Sequence, residues 1–256
     1  MTVGNEPVLC VDVGNTNVRF GLVSEEEVRE TGTLLTEKLI ANPDNFFALL
    51  PREAKASAFC SVVPAADAIV QEALQAVAPP PSFRLTHETC GNLPVRYPDP
   101  ARAGQDRLAN ALAARTLYGT PAIVLDVGTA ATFDVVTTEH GYEGGVIVPG
   151  PQVLLECLKD RTAFLPRVPL PDTPPSEAIG RSTPEAMIIG LTHGFPAMIR
   201  GILEQIKPSL TRIENGKVKV ILTGGGAFRV GELAATSDPD LTLKGIALAF
   251  WAEERA

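Results

Sequence analysis

Short apolar runs, each closed by an aspartate and a glycine, alternate along this chain with longer stretches whose apolar positions recur at helical spacing. The first run, Val8-Leu9-Cys10-Val11-Asp12-Val13-Gly14-Asn15-Thr16, reads as a buried strand that ends in a turn carrying a carboxylate, a glycine and a hydroxyl. Ala122-Ile123-Val124-Leu125-Asp126-Val127-Gly128-Thr129-Ala130 repeats that plan 114 positions later. Each copy is followed by a second β-rich segment, Val18–Val23 in one and Ala131–Val136 in the other, and the glycine-containing links predict hairpins. Third strands are expected around Glu27–Leu35 and Gly145–Val148. A repeated supersecondary unit of this size implies an α/β protein of two similar halves, each a mixed sheet with flanking helices. Gly119-Thr120-Pro121 punctuates the chain between them, which divides it into residues 1–119 and 120–256.

Helical spacing fills much of the remainder. A strand over Ala56–Val63 leads into a helix over Ala65–Val77, with Pro64 suited to its start. Leu108, Ala111 and Leu112 form one stripe of a helix over Asp106–Leu117. Glu185–Ile206 is long and largely apolar, and Pro196 is expected to end or kink it. Val218–Leu222 reads as a buried strand running into Gly224-Gly225-Gly226, with a short helix from Arg229, and Leu241–Glu254 closes the chain as a helix. Prolines at 166, 169, 171, 174 and 175 exclude regular structure from Pro166–Ser176, which predicts a surface loop or flap.

The formal net charge of −8 removes nucleic acid and anionic membrane surfaces from the main partners, since both need basic patches. It leaves phosphorylated ligands open, because backbone amides and a metal ion can handle phosphate locally. Uninterrupted apolar runs fall short of the roughly 20 residues that span a bilayer. Met1–Pro7 has neither the basic nor the apolar region of a signal peptide, so a cytoplasmic protein is expected. Cys10, Cys60, Cys90 and Cys157 lie far apart, without zinc or disulfide spacing, and Cys10 and Cys60 read as buried free thiols. His87, His140 and His193 form no sequence cluster.

The two Asp-x-Gly turns share one physical logic. A carboxylate at the end of a buried strand is well held and can bind Mg²⁺ or another cation. The glycine admits close backbone approach to a phosphate, and Asn15, Thr16 and Thr129 offer donors to its oxygens. The Thr223–Gly226 turn is a third place where backbone could meet a nucleotide. Neither the P-loop pattern nor the dinucleotide G-x-G-x-x-G fingerprint occurs. Paired hairpins of this kind resemble the actin-like ATPase fold.

The motifs sharpen this to a family, since the chain resembles type III pantothenate kinases over about residues 8–248. The resemblance rests on Asp12-Val13-Gly14-Asn15-Thr16 with Gly21, on Gly104-Gln105-Asp106-Arg107 preceded by Tyr97 and Pro100, and on Asp126-Val-Gly-Thr129-Ala-Ala-Thr132-Phe-Asp134. It extends to Ser61–Pro64, Gly144–Gly150 and Ile179–Thr183. It implies ATP-dependent formation of 4′-phosphopantothenate by a cytoplasmic homodimer with pantothenate, ATP, Mg²⁺ and K⁺ or NH₄⁺. Asp12, Val13, Gly14, Asn15, Thr16, Asn17, Val18 and Arg19 would form the ATP phosphate loop, joined by Thr129, with Asp12 also a candidate Mg²⁺ ligand. Asp126 would hold the monovalent cation. Asp106 would take the hydroxyl proton, and Tyr97, Gly104, Gln105, Asp106, Arg107 and Thr183 would line the pantothenate site, Thr183 reaching across the dimer. Departures from the family pattern are Arg19 for a common Lys, Ser182 for a common Asn and Gln105 for a common small residue.

Read from the residues alone, Asp106 also suits a helix N-cap, Arg107 a surface ion pair and Tyr97 a core aromatic. A helix N-terminus favours an ionised carboxylate, so the Asp106 pKa is expected to lie low. Arg107 could pair with the pantothenate carboxylate or steady the transferring phosphoryl group.

Overall fold

The computed structural model describes residues 6–79, 81–171, 173 and 175–255. Asp172 and Pro174 of the expected proline-rich loop lie outside these residues, as do residues 1–5 of the segment read for a leader. Compact packing divides the chain into two units. The first comprises Met1–Thr120, Val136–Gly144 and Asp240–Ala256, and the second Pro121–Val135 and Gly145–Pro239.

The first sheet is built from β1 (Val8–Val13), β2 (Asn17–Val23), β3 (Val28–Leu35), β4 (Ala56–Ser61) and β5 (Phe83–Arg84), in the order β3-β2-β1-β4-β5. β1 pairs antiparallel with β2, placing Asp12 opposite Arg19, and parallel with β4, placing Val13 opposite Ser61. Between β3 and β4 stand α1 (Thr36–Ala41) and α2 (Pro43–Leu49), and α3 (Pro64–Val77) follows β4 with proline at its first position. Leu9, Val11, Phe20, Leu22, Leu39, Phe46, Phe59, Val70 and Leu74 close one core between sheet and helices.

The second sheet contains β6 (Ala122–Val127), β7 (Ala130–Thr137), β8 (Gly141–Pro149), β9 (Lys219–Thr223) and β10 (Thr236–Ser237), in the order β10-β9-β6-β7-β8. Read from the other edge, this is the strand order of the first sheet: third, second, first, fourth, fifth. β1 and β6 even share one burial pattern, fully buried except for the aspartate at the fifth position. The repeated sequence therefore encodes a repeated topology.

α5 (Pro151–Arg161) and α6 (Thr183–Ile213) belong to the second unit. α6 continues through Pro196 and Pro208, so of the end or kink expected at Pro196 the end does not occur. Losing one backbone rung there is outweighed by Phe195 and Ile199, which bury beside it in the second core with Leu203 and Leu210. By length and composition alone this helix could cross a membrane, and 33% of its most apolar window is buried in the protein.

α4 (Gln105–Ala113) continues as a π-helical turn over Ala114–Tyr118. It packs against the last helix, α7 (Leu241–Glu254), at backbone distance: a Cβ at Gly245 would collide with the carbonyl of Ala109. Thr242 Oγ1 donates to Asn110 Oδ1 at 2.8 Å inside the same contact. With no space for a methyl group, Gly245→Ala should cost about 1–3 kcal/mol, the usual penalty for overpacking a core. Urea denaturation read by circular dichroism checks this, and an unchanged midpoint would contradict the contact.

Candidate active site

The turn after β1 lies open to solvent at Asn15, Thr16 and Asn17, whereas Asp12 beneath it is half-buried. Its shape is set by backbone bonds. Gly14 N–H donates to Asn17 O at 3.0 Å, and Thr36 clamps the turn twice, from its N–H to Thr16 O at 2.9 Å and from Oγ1 to Gly14 O at 2.7 Å. The second turn is held in the same way. Gly128 N–H donates to Ala130 O at 2.8 Å, and Gly150, just after β8, donates to Thr129 O at 2.9 Å. An exposed turn whose carbonyls are already engaged suits an anionic oxygen ligand.

The end of the strand that runs parallel to each first strand also meets its turn. Val62 N–H binds Val13 O at 3.0 Å, and Gly226 N–H binds Val127 O at 2.8 Å. Gly224 sits at φ 87°, where any side chain would be strained, and a Cβ there would strike Asp126 Oδ1. On the first turn, Asp12 Oδ1 accepts the thiol hydrogen of Cys60 at 3.3 Å. Cys60 is buried, and desolvation first, then the charges of Asp12 and Asp106, push its thiol well above the ordinary range. It is therefore a neutral donor. Cys10 is likewise a buried thiol raised by desolvation, as expected from its strand. Arg19 forms an ion pair with Asp240, which stands just ahead of α7.

Asp106 lies in the first turn of α4, after Gly104. Its Oδ1 accepts the Arg107 N–H at 2.8 Å and folds back over Gly104, where a Cβ would clash with it. Gln105 turns its Oε1 to the N–H of Ser61 at 2.9 Å, at the end of β4. Arg107 is buried, its guanidinium 5.5 Å from the centre of the Tyr142 ring and its Nη1 3.4 Å from Tyr97 Oη. The Tyr97 ring tilts against Tyr142 at 5.4 Å. Glu143 anchors this corner by accepting from His140 Nδ1 at 2.7 Å, Thr137 Oγ1 at 2.9 Å and Arg96 Nη1 at 3.0 Å. Burial works to raise its carboxyl, but those three bonds outweigh burial and hold it low.

The first unit thus gathers Asp12–Arg19, Tyr97 and Gly104–Arg107, while Asp126, Thr129 and Thr183 belong to the second. Thr183 opens α6 and lies on an apolar groove of about 550 Å³ between α5 and α6, with Leu155, Met187 and Phe195 among its walls. Thr36, Cys60, Tyr142 and Asp240 were not foreseen as site residues. Only for Tyr142 did the sequence hold a hint, its place two residues before the Gly144–Gly150 motif.

The profile of the type III pantothenate kinase family matches residues 8–205. The chain belongs to this family. A type III pantothenate kinase of Thermus thermophilus is 37% identical over 253 residues, covering 93% of this chain and 96% of its own. Among solved structures, a Campylobacter jejuni protein described as a Baf family transcriptional activator superposes with a TM-score of 0.57 at 19% identity, covering 97% of this chain and 100% of its own. The ROK hexokinase of Thermus thermophilus gives 0.50 at 15% identity, with 98% and 100% covered. These two establish the actin-like α/β fold and nothing finer.

The structure corrects the expected direction of the Asp106 pKa. Desolvation raises its pKa and outweighs the Arg107 N–H, the Arg107 charge and the carboxylate's own backbone N–H, all of which lower it. The helix terminus does act as expected, but burial is the larger effect. With the folded-state value above the unfolded one, this carboxyl favours folding only while protonated, and that stability is lost as pH rises through the folded pKa. Asp106→Asn keeps the acceptor for Arg107 N–H and removes the buried charge. The variant should melt above the wild type at pH 7, with the gap closing as pH falls through the ordinary carboxylate range. A scanning calorimetry series over pH tests this, and a lower-melting variant at pH 7 would refute it.

Proposed function

We propose that this kinase transfers the γ-phosphoryl group of ATP to the 4′-hydroxyl of pantothenate, the first step of coenzyme A biosynthesis. The observation that carries the reading is Asp106, a carboxylate with a raised pKa fixed by its own helix beside the buried guanidinium of Arg107. Such a carboxylate is a better proton acceptor than an ordinary exposed aspartate, and phosphoryl transfer otherwise asks chiefly for positioning and charge neutralisation.

The residues divide the work as follows. Asp12–Arg19 receives the ATP phosphates on its open turn, and Thr129 is a further ATP contact. Asp106 takes the hydroxyl proton. Tyr97, Arg107 and Thr183 contact pantothenate, and Gly104 forms the floor just ahead of α4, with the Gln105 side chain turned away to Ser61. Arg107 supplies positive charge to an anionic oxygen, that of the pantothenate carboxylate or of the transferring phosphoryl group.

Among the described residues no group of three His, Cys, Asp or Glu could enclose a metal unaided. One half-buried carboxylate at each turn fits Mg²⁺, which keeps waters and phosphate oxygens around one or two carboxylates. Asp12 would hold it, and the ion supplies charge neutralisation on the phosphates when bound. Asp126, pressed against Gly224, would hold K⁺ or NH₄⁺. The family also supports a cytoplasmic homodimer, and the apolar groove beside Thr183 supports the dimer independently.

ADP release by the purified protein with Mg²⁺, with and without pantothenate, in potassium and in sodium buffer, tests the assignment. Turnover should require pantothenate and fall in sodium, and the absence of ADP from every condition would overturn it. Asp106→Asn should lower kcat by about 10²–10⁴, the range for losing a general base.

A further inference from the structure

The last two residues of β4 each meet an element that carries a carboxylate. Cys60 donates to Asp12, and Ser61 donates its N–H to Gln105, the residue before Asp106. The second bond has a clear physical origin. Successive N–H groups of a strand point to opposite sides, and Val62 N–H points to β1, where it binds Val13 O. Ser61 N–H therefore points toward β5. That strand pairs only Phe83 and Arg84 with Ala58 and Phe59, and Leu85 N–H still reaches Phe59 O, but the ladder ends there. Ser61 is 5% exposed, so its N–H would be a buried donor without a strand neighbour, at a cost of about 1–3 kcal/mol if left unmade. Gln105 Oε1 takes the place of the missing strand.

We infer that Gln105 is a positioning residue for phosphoryl transfer: by completing the β4 ladder it ties the first turn of α4 to the strand that also holds Asp12, and so sets where Asp106 stands. The inference rests on the assignment of Asp106 as proton acceptor. It also explains why a long amide occupies this place in the Gly-x-Asp-Arg motif of this chain. A residue ending at Cβ could not reach Ser61, and the helix start would lose its hydrogen bond to β4.

The test separates positioning from substrate contact and from plain stability. Gln105→Met keeps the length and removes the acceptor, whereas Gln105→Glu keeps an acceptor oxygen. The Met variant should lose about tenfold or more in kcat while KM for pantothenate and for ATP moves less than about threefold, and the Glu variant should recover most of the loss. Should the Met variant not fold, Gln105→Asn, one methylene too short for Ser61, carries the same test. A raised pantothenate KM at unchanged kcat would make Gln105 a substrate contact and overturn the inference. So would a lowered melting temperature with both constants unchanged. Turnover surviving Asp106→Asn would instead sink the assignment of Asp106, whatever the Gln105 variants do.

Discussion

The hydrogen bonds from Thr36 to the turn after β1 are the constraint on which the site depends. A turn that presents its amides to a ligand must lie open to water, and an open turn is ordinarily a mobile one. Here the carbonyls of Gly14 and Thr16 are fixed from behind by a residue that is itself buried. The exposed residues Asn15–Asn17 thus sit on backbone that cannot readily reorganise. The second turn uses Gly150 for the same purpose, without a side chain. Preorganised dipoles of this sort cost little reorganisation when charge arrives, which is where electrostatic stabilisation gains its strength.

Asp106 shows the opposite economy. Its helix and its neighbour Arg107 favour the ionised form, yet burial prevails, and the group stands in a less stable charged state than it would in water. That instability is the source of its basicity. A fold that held this carboxylate more comfortably would make it a weaker proton acceptor. Glu143, beside Tyr142 in the chain, has three donors and is held low, which suits an anchor rather than a base.

Much of this was legible in the sequence, for physical reasons that differ by residue. The strands that carry Asp12 and Asp126 declare themselves because an apolar run, a carboxylate and a glycine follow within a few residues. α7 was legible to its ends, since Pro239 and Asp240 mark where it starts. α1, α2 and α5 were not foreseen: α2 buries Phe46 alone, and α5 only Pro151 and Leu155, so neither carries a stripe long enough to read. β5 and β10 are two residues each and exist only because a neighbouring strand is there. Within the site, the motif residues were visible but their supports were not. Thr36 reaches across 22 positions, Cys60 across 48 and Asp240 across 221, and separations of that size belong to the fold rather than to any motif. The pKa of Asp106 was misjudged for the same reason, because the helix terminus is a local effect and burial is a tertiary one.

The contact at Gly245 reaches beyond packing. α4 carries Asp106 and Arg107 from the middle of the chain, but the surface it rests on at Ala109 and Asn110 is made by residues 241–254. During synthesis, therefore, the motif residues emerge long before the support that fixes them, and the first unit stays incomplete while the whole of the second is being made. A nascent chain can form the two hairpins early, yet it cannot fully support α4 until residues 241–254 have left the ribosome. A chain stopped short of residue 241 would hold every motif of the family without the helix that α4 packs against.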